Sequence, residues 1–67
     1  MKLSPKKTEI LTLIARGYTD KEIAWILHMS TRTVNTHVSS IMIALNARTR
    51  AHAVALYMHS NPKWKIL

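Results

Sequence analysis

Cysteine is absent from the 67 residues, so the chain has no disulfide framework and no thiolate metal site, and a reducing compartment suits it. A chain of this size buries only roughly 60% of the surface its unfolded form exposes, and the usual staples of a small protein are missing. Its core is marginal, and a partner, a second copy above all, would strengthen it. Glycine occurs once and proline twice. β-Branched residues do not alternate with polar ones, so strands have little support and an all-α fold is expected. No stretch approaches the roughly 18 apolar residues of a spanning helix. "MKLSPKK" is not followed by the apolar run and small-residue cleavage site of a signal peptide. The expectation is a cytoplasmic protein that does not enter a membrane. Repeats, linkers and low-complexity stretches are also lacking, so residues 1–67 read as one domain.

Acidic residues are scarce. Glu9, Asp20 and Glu22 stand against ten Lys and Arg, a formal charge of +7 and a pI near 10.4. An excess spread along the chain favours a polyanionic partner, nucleic acid ahead of an anionic membrane, over a basic surface kept for solubility.

What is present is helix punctuation. Ser4 before Pro5 reads as an N-cap with proline in the first helical position, Ile10, Leu11, Leu13 and Ile14 mark an inward face, and Gly17 ends the helix. Thr19, Asp20, Lys21 and Glu22 form a capping box for a second helix to about Leu27, with Ile23 and Leu27 one turn apart. After a break at His28 and Met29, Ser30 caps a third helix over 31–45, and Asn46 is a left-handed stop. Thr49 caps a fourth helix to about His59, and Asn61 before Pro62 closes it. Two short helices, a tight turn and a third capped helix are the parts of a helix-turn-helix.

On that third helix, Val34, Val38, Ile41 and Leu45 fall in one sector, while Arg32, Asn35, Thr36, Ser39 and Ile43 occupy the opposite side. A solvated face normally carries Glu and Lys, for propensity and for pairing between turns. Here it carries short hydrogen-bonding side chains and no acid. Asn, Ser and Thr are poorer helix formers, so local stability does not explain them. A major groove does: Asn makes bidentate contacts to adenine, Ser and Thr bond to any base, and a threonine methyl meets the thymine methyl. A merely polar outer face is the rival reading.

Four segments together resemble the LuxR-type, or NarL/FixJ-type, helix-turn-helix domain of bacterial transcription regulators, from Leu3 to about Tyr57. They are "LSPKKTEIL", "LIARGYTDKEIAWIL", "MSTRTVNTHVSSIMIAL" and "RAHAV". The resemblance implies a four-helix domain whose third helix enters the major groove of double-stranded DNA and whose fourth mediates dimer contacts. Carried over position by position, it implies base reading by Asn35, Thr36 and Ser39. Phosphate contacts then fall to Lys21, Ser30, Thr31, Arg32 and Thr33. The sequence departs from the family at Asn35, where a basic residue is frequent, and at Ala44, where Lys is common; both departures bear on base preference and affinity. Relatives usually carry a receiver or ligand-binding domain ahead of this module. Met1 standing two residues before Leu3 leaves open a stand-alone reader or a piece of a longer regulator.

Other residues suggest chemistry without carrying it. His28, His37, His52 and His59 include no i, i+4 pair, so no metal or other cofactor is expected. His37 is expected at the edge of the third helix. Glu9 and Glu22 read as a buried ion pair or as caps, because no nucleophile, base and oxyanion set accompanies them; an enzyme is not expected. On the fourth helix, Ala53, Val54 and Tyr57 form the core face, yet Ala51, Ala55, Leu56 and Met58 extend the apolar character around it. That excess is the basis for expecting a homodimer, against packing under a tail in which Trp64, Ile66 and Leu67 also seek cover. Trp25 and Ile43 are expected to face outward. The rival function is a small interaction protein whose fourth helix pairs with a larger regulator. A partner regulator or RNA polymerase belongs to either reading, and a cationic membrane peptide is disfavoured by so well capped a set of helices.

Overall fold

A computed structural model describes residues 2–67, and among these it contains four helices and no strand. They are α1 (Pro5–Ala15), α2 (Asp20–Ile26), α3 (Thr31–Leu45) and α4 (Arg50–Ser60). Each begins on a hydroxyl cap. Ser4, Thr19, Ser30 and Thr49 accept from the amides of Lys7, Glu22, Thr33 and His52 at 3.3, 3.2, 3.0 and 3.0 Å. Glu22 closes the capping box, its carboxylate accepting from the Thr19 amide at 2.8 Å.

Three helices stop in the same way. Gly17, His28 and Asn46 have φ of 96°, 55° and 53°, and each turns the chain so that two amides fold back onto carbonyls of the last turn. After α2 these are His28 to Trp25 at 3.4 Å and Met29 to Ala24 at 2.9 Å, a paired closure that satisfies otherwise orphaned carbonyls. Glycine meets this φ freely and asparagine readily. At His28, in the turn between α2 and α3, a side chain bears it, and histidine is among the residues enriched there.

The core gathers Ile10, Leu11 and Leu13 from α1, Ile23 and Ala24 from α2, Val34, Val38, Ile41 and Leu45 from α3, and Ala53 and Tyr57 from α4, with Leu3 closing one end. α3 packs against all three other helices. At 15 residues it is roughly 22 Å long, most of the 29 Å greatest extent of the molecule.

Two long-range ties fix the ends. Asp20, at the start of α2, holds Arg50, at the start of α4, through a two-pronged carboxylate–guanidinium pair whose Nη2–Oδ2 distance is 2.7 Å. The Trp64 indole donates to Thr12 Oγ1 at 2.9 Å and stands edge-on to Tyr57, with ring centroids 4.9 Å apart, while Arg16 donates to the Ile66 carbonyl. The tail thereby straps α1 to α4. Leu67 does not share that cover and is exposed. Nor is Glu9 buried. It pairs with Lys6 one turn away at 3.1 Å on the surface, where water solvates both charges.

Hydrogen bonds from Arg50, and its charge, hold the Asp20 carboxyl below the usual carboxylate range against a smaller opposing effect of burial. A depressed carboxylate contributes stability above its ordinary pKa and loses it as pH falls through the folded value. Asp20→Asn should therefore cost about 0.5–1 kcal/mol at neutral pH, because Arg50 is partly solvated, and almost nothing once wild-type Asp20 is protonated. Urea melts of both proteins from pH 7 downward measure this; parallel pH profiles would contradict it.

Candidate nucleic-acid interface

Because Val34, Val38, Ile41 and Leu45 are buried, the opposite side of α3 is forced outward. Arg32, Asn35, Thr36, Ser39 and Ile43 are all exposed along it. Asn35 and Ser39 make no side-chain hydrogen bond among the described residues, so the Asn35 amide keeps both its donor and acceptor ends. Thr36 differs: its hydroxyl donates to the Arg32 carbonyl at 3.0 Å. Its proton is committed within the helix, which leaves oxygen lone pairs and a methyl to face outward.

The amino end of α3 gathers hydroxyls and amides without intrahelical partners. Ser30 Oγ accepts from the Thr33 amide and lies 2.9 Å from Thr33 Oγ1, so the pair shares hydroxyl protons. Those two hydroxyls are held by the cap, while the Thr31 and Arg32 amides, in the first turn, lack intrahelical partners. Together with the exposed side chains of Thr31 and Arg32 and with Lys21 on α2, they make a positive rim. Glu9 pairs with Lys6 and Asp20 with Arg50, while Glu22, exposed beside Lys21, is held in its cap. All five residues expected at phosphates thus lie on the first turn of α2 or around the start of α3, and the three expected base readers follow on the next two turns of α3.

The four α4 residues expected at a dimer contact do not share one face. Ala51, Ala55 and Met58 are exposed and stand at i, i+4 and i+7. Leu56 lies roughly 100° or more around the helix from each of them and is half-buried against the core. Counting apolar residues on α4 missed this, because Leu56 reaches the core from the flank of the Ala53–Tyr57 face. His37 is half-buried at the edge of α3.

Trp25 faces outward as expected, whereas the groove that it lines and one long-range ion pair carry little or no signal in the local sequence. Trp25 is 82% exposed and, with Tyr18, Ile26, Met29, Lys21 and Glu22, lines a shallow, mainly apolar groove beside Ser30 and Thr31. The Asp20–Arg50 tie joins residues thirty positions apart, and only the match of "RAHAV" to a known pattern pointed to that arginine. Among the described residues no three His, Asp or Glu side chains gather where a metal ion could sit, and no helix is long and apolar enough to cross a membrane.

Comparison with known proteins identifies the family of the domain. Residues 1–57 match the family model described as bacterial regulatory proteins, luxR family. Response regulator protein VraR of Staphylococcus aureus is 42% identical over 59 residues, which is 88% of this chain and 28% of that protein. The proteins of the same name from Staphylococcus saprophyticus and Staphylococcus epidermidis match to the same 42% over the same 59 residues. The chain therefore spans little more than a quarter of the length of these relatives, 28%. With four capped helices in the expected order and the match running over residues 1–57, the chain belongs to the luxR family of bacterial regulatory proteins.

Proposed function

We propose that the chain is a sequence-specific DNA-binding transcriptional regulator, acting by binding alone, with α3 in the major groove of double-stranded DNA. One observation carries this: an acid-free helix face of exposed Arg32, Asn35, Thr36 and Ser39, in a protein of net charge +7. Its family membership and relatives called response regulators support the same reading. Asn35, Thr36 and Ser39 read bases; Lys21, Ser30, Thr31, Arg32 and Thr33 hold phosphates. The decisive experiment is selection of preferred duplexes from a random pool at physiological salt, followed by sizing of the complex. Enrichment of a defined site supports the reading, and a pool that stays random contradicts it.

Lys21 contributes charge without choosing bases. Lys21→Ala should weaken all duplexes alike and lower the slope of log K against log salt by about one unit. An unchanged slope removes Lys21 from the phosphate contacts.

The regulator is a homodimer through Ala51, Ala55 and Met58. Two alanines one turn apart let helices approach closely, and this apolar face is left open by the monomer. Ala55→Glu should shift the sedimenting species to monomer at micromolar concentration while leaving stability within about 0.5 kcal/mol, because the site is exposed. Wild-type protein that sediments as a monomer with and without DNA would remove the dimer. The same face supports a second reading, in which α4 pairs with a larger regulator and modulates it. Protein that prefers no duplex yet displaces a regulator from its own site would favour that one.

A further inference from the structure

We propose that α3 selects thymine at two positions of its target by their C5-methyl groups, through the methyl of Thr36 and the side chain of Ile43. This selection presupposes α3 in the major groove, the reading given above, and specifies what it meets there.

Ile43 is 81% exposed. It stands four residues after Ser39, seven after Thr36 and eleven after Arg32, so the four side chains fall within a sector of roughly 60° on the helix. Local stability does not account for it. A β-branched residue at an exposed helical position is a poorer helix former than Ala, Lys or Arg, and it leaves apolar surface in water. After Arg32, α3 carries no Lys, Arg, Asp or Glu, so the far end of this stripe offers a duplex no formal charge from such residues. What it offers is a branched hydrocarbon. Thr36 leads to the same chemistry: with its hydroxyl donated to the Arg32 carbonyl at 3.0 Å, its side-chain torsion is set and the proton is unavailable to a base. An exposed methyl remains.

Among base edges in the major groove, the thymine methyl is the apolar feature, and van der Waals contact with it is how an apolar side chain discriminates there. Seven residues of helix place Ile43 roughly 10 Å beyond Thr36 along the axis. That separation is larger than one base step of about 3.4 Å, so the two side chains meet different base pairs.

The test uses the duplex enriched from a random pool, with each thymine replaced in turn by deoxyuridine, which lacks only the methyl. Affinities are measured at fixed salt for wild type, Ile43→Ala and Thr36→Ser. Two replacements at different base pairs should each weaken wild type about fourfold, the effect of one buried methyl-sized group. Ile43→Ala should lose sensitivity to one of them and Thr36→Ser to the other, with thermal melting of both variants close to wild type. Wild type indifferent to every replacement, or variants that keep both sensitivities, would overturn the methyl assignment while leaving α3 in the groove. Failure to enrich any duplex would overturn that underlying reading as well. Ile43→Ala that binds every duplex like wild type but loses association with a second protein would assign Ile43 to a partner and likewise overturn it.

Discussion

Ile41→Ala should lower the melting temperature of the protein by about 10–30 °C. Ile41 is 1% exposed in the middle of α3, the helix that packs on each of the other three. Removing its outer carbons loses the transfer free energy of burial and leaves a void that surrounding side chains only partly refill, at a cost of about 2–5 kcal/mol. Typical stability of about 0.05–0.15 kcal/mol per residue gives a chain this short only about 3–10 kcal/mol in all. For a domain of this size each 1 kcal/mol shifts the midpoint by roughly 4–8 °C. Ile43→Ala is the internal control. Two residues along the same helix and 81% exposed, it should change stability by no more than about 0.5 kcal/mol. Thermal melts followed by far-ultraviolet circular dichroism compare the two. Equal losses would mean that α3 is rotated about its axis from the orientation described, and the outward face would then belong to other residues.

That contrast between two isoleucines was legible in the sequence, and the reason is local. Helix starts are set by a hydroxyl and an amide three residues on, so Ser4, Thr19, Ser30 and Thr49 announce their caps without knowledge of the fold. The inward sector of α3 follows from 3.6 residues per turn and an apolar stripe, and the outward face is its complement. Interactions that cross the chain leave no such mark. Nothing near Asp20 signals Arg50, and nothing near Thr12 signals the Trp64 indole that it accepts from. The cap at Ser30 fixes where α2 must break, but the left-handed backbone at His28 has no local mark in the sequence. Leu56 shows a subtler limit: a helical projection separates inward from outward but does not tell how far neighbouring helices reach around the flank. For the candidate site, the residue types were legible and their hydrogen-bond state was not. The tie from Thr36 to the Arg32 carbonyl, which decides what Thr36 can offer a base, exists only once the helix has formed.

Asn35→Ala and Ser39→Ala should each weaken binding to the preferred duplex by about 1–3 kcal/mol while leaving binding to random DNA unchanged. Asn35 is the stronger candidate, because its free amide presents a donor and an acceptor together, the pair that adenine matches at N7 and N6. The Ser39 hydroxyl makes a single contact, so its loss belongs at the lower end. Neither substitution removes charge, so the salt slope should stay at its wild-type value, in contrast to Lys21→Ala. Both side chains are exposed, which keeps folding out of the comparison. Since the two residues lie one turn apart and share one stretch of groove, the double variant need not lose the sum of the single losses. A shortfall in the cycle measures how far one side chain positions the helix for the other. Titrations of the three variants against preferred and random duplexes at two salt concentrations separate these effects. A loss shared equally by both duplexes, at an unchanged salt slope, would place Asn35 and Ser39 on the phosphate backbone and leave base choice to some other surface.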